Sequence, residues 1–289
     1  MERSKTVFVT GASGNQGGAT ARNLAENGCF VKALVRNETS PKAEKLKRPY
    51  IQIIKGDLND PSTYKSQLTN IDGAFAVFTF MNGVKKEIAE GISFIDAARE
   101  MNVPFILYSS VIGADSGSGI PHWESKNEIE QHLKSSGIPY TIIRPSYFLE
   151  NFFIPDVHKR IRKGKMVTPI KKDKVMQFIS TEDVGRICAH ILMNKDQYFG
   201  RTITIAADQM DMQTAAKTFT NILGKPISYS QLPGLLTRIF LGSNLHTMFK
   251  YINNNDVLFV KDMQRLKGEF PFLTPVNDWV SRNRLAFRS

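Results

Sequence analysis

Thr6-Val7-Phe8-Val9-Thr10-Gly11-Ala12-Ser13-Gly14-Asn15-Gln16-Gly17-Gly18 is an apolar run that feeds a glycine-rich turn, and a helical stretch from Ala19 to Glu26 follows it. This order aims the bare backbone N–H groups of the first helical turn at whatever occupies the loop. The positive end of the helix dipole favours an anion in the same place. Three glycines divide the work: one for a tight turn, one for close approach of a ligand, one for close packing of helix on strand. Their spacing is G-x-x-G-x-x-G rather than the commoner G-x-G-x-x-G, so the pattern gains its weight from the strand before it and the helix after it. A plain strand–helix connection is the competing reading, and it needs neither three glycines nor an exposed helix start. Gly11, Ala12, Ser13, Gly14, Asn15, Gln16 and Gly17 are therefore expected to cradle a diphosphate.

The next strand, Phe30 to Val35, ends at Arg36. An acidic residue there would bond the adenosine ribose 2′-hydroxyl of NAD, whereas an arginine suits a 2′-phosphate. Arg36, with Asn37 beside it, argues for NADP. Ser40 and Lys42 are minor candidates for the same phosphate. An ordinary solvated arginine is the bland alternative, and the glycine turn one unit upstream tips the balance against it.

Asp57 and Leu58 follow Gly56 at the end of the third strand, where Asp57 can accept a bond from an adenine amino group and the next backbone can assist; a turn-forming Gly-Asp is the competing reading. The backbone of Thr79, Phe80 and Met81 is expected to line the cofactor cleft at the end of strand four. Strand five ends in Tyr108-Ser109-Ser110, whose hydroxyls are candidates for a substrate carbonyl. His122 and Lys126 stand four apart and so share one helical face. Lys126 there can bond the nicotinamide ribose, and His122 can help move a proton. The pair alone would not outweigh a solvated lysine and a core histidine.

The remaining chain bounds these readings. It has 289 residues, 42% of them hydrophobic, enough for a large α/β core. Strands are read at 6–10, 30–35, 51–54, 74–79, 105–109 and 141–143, as continuous apolar runs suited to a parallel sheet covered on both faces. Asp60-Pro61 is read as a helix start, and Ile88, Ile92, Ile95 and Ala98 as the apolar stripe of a helix over 87–101. Strands at 201–206 and helices over 211–223 and 231–250 follow in a less regular second half. The fold class is α/β: a doubly wound parallel sheet of Rossmann type with a smaller, interleaved C-terminal α/β lobe. The expected division is a dinucleotide-binding domain over 1–150 and a substrate or partner lobe over 151–289.

Met1 to Lys5 lead straight into the first strand, leaving no room for a secretory signal, and no apolar run is long enough to span a bilayer. Cys29 and Cys188, the only cysteines, sit in apolar contexts and read as core residues of a reducing compartment. The expected location is the cytoplasm, with the nucleus as a second compartment. The formal net charge is +11. Its basic clusters at 42–48, 158–165 and 171–174 are scattered and match no nucleic-acid module, so a solvated surface that steers a polyanionic dinucleotide is preferred over nucleic acid. No metal and no membrane partner is expected. A regulatory protein partner, a small apolar substrate and a homodimer all stay open.

The assembled motifs resemble the short-chain dehydrogenase/reductase superfamily and, within it, the atypical NmrA-like family. Thr10 to Gly17, Val35-Arg36-Asn37, Gly56-Asp57-Leu58, Tyr108-Ser109-Ser110, His122-x-x-x-Lys126, Arg144-Pro145-Ser146-Tyr147-Phe148-Leu149-Glu150-Asn151 and Ile179 to Gly185 carry the resemblance over essentially the whole chain. It implies that Tyr147, Phe148, Leu149 and Glu150 line the nicotinamide half of the cofactor, and that Asn151 and Phe152 begin the substrate lobe. Ordinary members of the superfamily have Tyr-x-x-x-Lys, with the tyrosine as proton donor. His122 stands at that position here. The resemblance therefore implies either a regulator that binds NADP(H) and reports redox state, or an NADPH-dependent reductase of a quinone or small carbonyl compound.

Overall fold

The computed structural model describes residues 4–288; Met1 to Arg3, read above as leading into the first strand, lie outside the described residues, as does Ser289. The chain forms two units that exchange the backbone several times. The first takes in the described residues up to Asp115, then Pro121–Arg144 and Val184–Ile203. The second takes in Ser116–Ile120, Pro145–Asp183 and the described residues from Thr204 onward.

Elements alternate along the first unit: β1 (Thr6–Val9), α1 (Asn15–Glu26), β2 (Phe30–Val35), the short α2 (Pro41–Glu44), β3 (Ile51–Lys55), β4 (Gly73–Ala76), α3 (Val84–Glu100), β5 (Ile106–Ser109), α4 (Pro121–Ser135) and β6 (Tyr140–Pro145). The chain then passes through β7 (Tyr147–Phe148), α5 (Pro155–Arg162), β8 (Lys165–Thr168) and β9 (Val175–Ile179). It returns along α6 (Thr181–Met193) and β10 (Thr202–Ile205). The large sheet has the order β10-β6-β5-β4-β1-β2-β3. Neighbours from β3 through β6 pair in parallel, with Val9 opposite both Ala33 and Phe75. Every residue of β4 and β5 is buried, as a parallel sheet covered on both faces requires. After β3 the chain jumps across β1 to lay down β4. That reversal opens a crevice at the carboxyl ends of β1 and β4, where ligands of doubly wound sheets bind.

Three local readings change. β4 closes at Ala76 rather than Thr79, because Val77 leaves the ladder to bond the Thr10 side chain, Val77 N donating to Thr10 Oγ1 at 2.8 Å. Asp60-Pro61 starts only one 3-10 turn, Pro61–Thr63, with Asp60 Oδ1 accepting from Ser62 N at 3.1 Å. In α3 Ile95 and Ala98 are buried as read, but Ile88 and Ile92 are only half-buried and Glu87, Glu90, Gly91 and Phe94 share the buried face instead. Gly91 is there because α4 is close: a Cβ on it would meet the Ile129 side chain at 2.7 Å.

The second unit has its own core. β11 (Asp208–Asp211), β9 and β7 make a three-stranded sheet, and β8 pairs in parallel with β12 (Ser228–Gln231). α7 (Met212–Leu223), α8 (Gly234–Asn254), α9 (Met263–Glu269) and α10 (Val276–Arg282) complete it. Phe152, Phe178, Phe219, Trp279 and Phe287 pack ring on ring at its centre. The buried Asp183 carboxylate accepts from both Thr274 N and Thr274 Oγ1, fixing the segment before α10. The segment read as helical over 231–250 begins later than expected, because Gln231 closes β12 and α8 starts at Gly234, and Gly242 (φ 80°) breaks the helix into two pieces. Both cysteines are free and buried, and burial pushes both thiols up. Among the described residues no helix is long and apolar enough to cross a membrane, and no cluster of His, Cys, Asp or Glu could hold a metal ion.

Candidate functional site

The glycine loop sits at the switch point. Gly11 follows β1 with φ +58°, a conformation that suits glycine, and its carbonyl accepts from Gly14 N at 2.8 Å to close the turn. Gly17 is required for a different reason: a Cβ there would lie 2.3 Å from Gly11 O and 2.6 Å from Thr10 O. α1 thus begins hard against the loop. Its first turn holds no acidic residue and its N-cap, Gly14, supplies no side-chain bond. Gly14 and Asn15 are exposed and Ser13 half-exposed, whereas Ala12 is buried and can contact a ligand only through its backbone. An uncapped helix start at a topological switch point fits a diphosphate. Gln16 turns inward, where its Oε1 accepts from Ser109 Oγ at 2.7 Å. Ser109 is fully buried by that contact, so its expected role toward a substrate carbonyl is corrected: it braces the loop. The neighbouring Ser110 Oγ is buried without a hydrogen-bond partner.

At the adenosine end Arg36 is exposed just past β2, and its charge acts on Asp57 and Glu90. Asn37 turns back on its own loop, its Oδ1 accepting from Thr39 N at 3.0 Å and Thr39 Oγ1 at 2.8 Å. Ser40 caps α2, accepting from Ala43 N, which leaves Arg36 and the exposed Lys42 as the charged candidates in this loop. Asp57 Oδ1 accepts from Asn59 N at 3.0 Å and Asn59 Nδ2 at 2.6 Å, which holds its carboxyl below the usual carboxylate range. Leu58 is half-buried beside it. Asn59 also donates to Glu90 Oε1 at 3.1 Å, and burial raises the Glu90 carboxyl.

Lys126 and His122 lie together on the buried face of α4. Lys126 Nζ donates to Phe78 O at 2.7 Å and stands 2.9 Å from Glu87 Oε1. Glu87 is fully buried and also accepts from Ser125 Oγ at 2.5 Å. A buried ion pair of this kind holds the ammonium in one place, with a further N–H direction open to an incoming group. The backbone before it, through Phe78 and Thr79, thereby anchors the lysine. Thr79 caps the short turn Phe80–Asn82, Met81 is exposed, and the Phe80 ring stacks on His122 with centroids 4.4 Å apart. The Tyr108 ring centroid is 5.7 Å from Lys126 Nζ, and burial and Glu87 push that phenol well above its ordinary value. It is no substitute for the missing tyrosine acid. Arg144 makes a two-pronged contact with buried Glu130 at 2.9 and 2.6 Å and a third with Asp115 at 2.6 Å, so it fixes α4 on β6.

Glu87 escaped the sequence reading. Its signal was present: Glu87, Glu90 or Gly91, Phe94 and Ala98 recur at helical spacing, but a stripe that opens with carboxylates reads as a solvated face.

Tyr147, Phe148, Leu149 and Glu150 belong to the second unit. Tyr147 packs edge-on against Phe178 at 5.8 Å, and Glu150 Oε2 accepts from Thr181 N at 2.9 Å while burial raises its carboxyl. The side chains of Leu149 and Phe152 are core groups, fully buried in that unit, and do not line an open lobe. This corrects the side-chain role expected of Leu149.

Known proteins share this fold. The chain is 27% identical over 227 residues to the NAD(P)H azoreductase of Xenophilus azovorans, spanning 77% of this chain and 76% of that protein. Its structure matches a triphenylmethane reductase of Citrobacter sp. with a TM-score of 0.83 at 18% identity, covering 97% of this chain and 99% of the reductase. It matches NmrA, a negative transcriptional regulator solved in complex with NADP, with a TM-score of 0.78 at 19% identity over 97% of this chain and 95% of NmrA. At these identities the structural matches establish the fold. The sequence profile of the NmrA-like family matches residues 3–282, and the chain belongs to the NmrA-like family.

Proposed function

We propose that the first unit binds NADP(H) and that the protein acts as a redox-responsive regulator rather than a standard dehydrogenase. The observation that carries this reading is the Lys126–Glu87 pair, 2.9 Å apart and buried, with His122 stacked on Phe80 where a tyrosine acid would stand. The lysine charge is met by Glu87, so Lys126 is equipped to hold a ribose, and the Tyr108 phenol near it is buried with its pKa pushed up. The glycine loop would take the diphosphate, Arg36 the 2′-phosphate and Asp57 the adenine. The regulator NmrA is solved in complex with NADP and with NAD, which supports a dinucleotide in this fold. A regulator of this kind needs different free energies for the two redox forms. Calorimetry with NADP and NADPH, followed by hydrogen exchange of each complex, tests this. Equal affinities together with identical exchange patterns would defeat it.

A second reading is an NADPH-dependent reductase of a quinone or another conjugated acceptor. The relatives named as an azoreductase and a triphenylmethane reductase favour it. When bound, the reduced nicotinamide would supply a hydride. A conjugated acceptor spreads the resulting charge and can take its proton from water, which removes the need for a tyrosine. Loss of NADPH absorbance with a panel of quinones and azo compounds checks this reading, and no turnover above background with any of them counts against it.

A further inference from the structure

The two pieces of α8 meet over a hollow in the second unit. In an unbroken helix Gly234 and His246 would stand about 18 Å apart along the axis. The break at Gly242 removes that distance: a Cβ on Gly234 would lie 3.6 Å from His246 Nε2, so the second piece folds back on the start of the first. The cavity there measures about 180 Å³. The first piece lends Gly234 and Thr237 to its lining, and the second lends His246, Phe249, Lys250 and Asn253, whose spacing puts them on one helical face. Lys171 joins from the loop after β8. It is held there by its backbone N–H, which donates to Asn253 Oδ1 at 2.8 Å, while Asn253 Nδ2 donates to Pro169 O at 2.9 Å.

The charge of this hollow is one-sided. Lys171, His246 and Lys250 line it, and no acidic side chain does. Lys171 Nζ reaches a neutral acceptor, Asn254 Oδ1, at 3.4 Å, and none of the three has a carboxylate partner among the described residues. From Met212 to Asn255 the chain has no Asp or Glu at all. The start of α8 adds to the same sign, because no side chain caps it and its first turn holds no acidic residue. Two ammonium groups, an imidazole and a bare helix start thus converge on one space, an arrangement that is self-repelling until an anion enters it.

We propose that this hollow binds the phosphate group of a small phosphorylated molecule. The donors come from three stretches of chain, the loop after β8 and the two pieces of α8, so they approach from different directions. A phosphate offers them three acceptor oxygens and close to two negative charges, whereas a carboxylate offers two oxygens and one charge. The cavity of about 180 Å³ has room for several waters, more than a bare phosphate displaces, and Leu232 and Phe249 in its lining suit an apolar portion of the same molecule. Such a ligand would tie the two pieces of α8 together across Gly242. The site lies within the second unit and shares no residue with the dinucleotide assignment.

Hydrogen exchange of the full chain, read over 234–254 by mass spectrometry, tests the proposal. The probes are inorganic phosphate, phenyl phosphate and succinate, each compared with sodium chloride at equal ionic strength. Both phosphates should slow exchange in this segment at millimolar concentration, phenyl phosphate at the lower concentration because its ring can lie along Phe249. Phosphate held by the glycine loop does not register in this segment. The exposed-site double variant Lys171→Gln/Lys250→Gln should need at least about tenfold more of either phosphate, from the charge-assisted bonds it forgoes, while circular dichroism shows it folded. Exchange no slower than in chloride overturns the proposal, as does an unchanged response of the variant. An equal response to succinate overturns the choice of phosphate, and equal potency of the two phosphates overturns the apolar portion.

Discussion

The Lys126–Glu87 pair is open to a quantitative test. Two opposite charges 2.9 Å apart attract by about 6 kcal/mol at an effective dielectric of ~20, before the cost of removing both from water. Glu87 is fully exclusive of solvent and Lys126 nearly so, so removing either partner strands the other as a buried charge. Glu87→Gln keeps the shape and the Ser125 contact but removes the charge, and should destabilise the first unit by about 3 to 5 kcal/mol. Lys126→Met should cost a similar amount. The double variant leaves no stranded charge and should be more stable than the sum of the two losses predicts, with a coupling of at least about 1 kcal/mol. Urea denaturation followed by circular dichroism, run as a double-mutant cycle, gives the coupling directly. Strict additivity of the two single variants would show that the pair is not coupled in the folded protein, and the role assigned to Glu87 as the anchor of Lys126 would fall with it.

Other outcomes follow from the same site. Arg36→Ala should weaken NADP(H) binding by about 10- to 100-fold, the worth of a charge-assisted contact, and leave NAD(H) unchanged; calorimetry that finds both weakened equally refutes the 2′-phosphate role. Gly17→Ala places a methyl 2.3 Å from Gly11 O and should abolish dinucleotide binding, checked by the same titration. Glu90 has a raised carboxyl, so its ionised form costs the folded state stability at pH values above its folded pKa, and that cost disappears as the pH falls through the folded pKa toward the ordinary glutamate range. Glu90→Gln should therefore gain on the parent chain at neutral pH and lose that gain in acid; a denaturation-midpoint difference that does not change with pH contradicts the assignment.

The parts of this molecule that were legible in sequence are those whose physics is local. The glycine loop, Arg36 one unit later, and the His122–Lys126 spacing each state a geometry within a few residues, and all were read in place on the first unit. The parallel sheet was legible because its central strands are apolar throughout. What was missed depends on partners distant in sequence. Glu87 reads as solvated until Lys126, on another helix, is brought 2.9 Å away. Ser109 reads as a substrate contact until Gln16 reaches it from the loop. Val77 reads as strand, but the Thr10 hydroxyl claims its backbone and ends β4 early. Leu149 was assigned to the cofactor wall from a motif, and only the core of the second unit shows why it is buried.

The interleaved path of the chain has a bearing on its biogenesis. Helix α6 lays Gly185 so close to Ala19 that a Cβ would sit 2.6 Å from the Ala19 carbonyl carbon, and Ile142 N donates to Arg201 O at the rim of the large sheet. Both contacts come from the segment that returns after residue 183. During synthesis at ~5 to 20 residues per second, α1 must wait roughly 10 to 30 seconds for that segment to emerge. Until then the α1 face and the β6 edge are bare, and a nascent chain halted near residue 150 would be a client for holdase chaperones rather than a finished nucleotide-binding module.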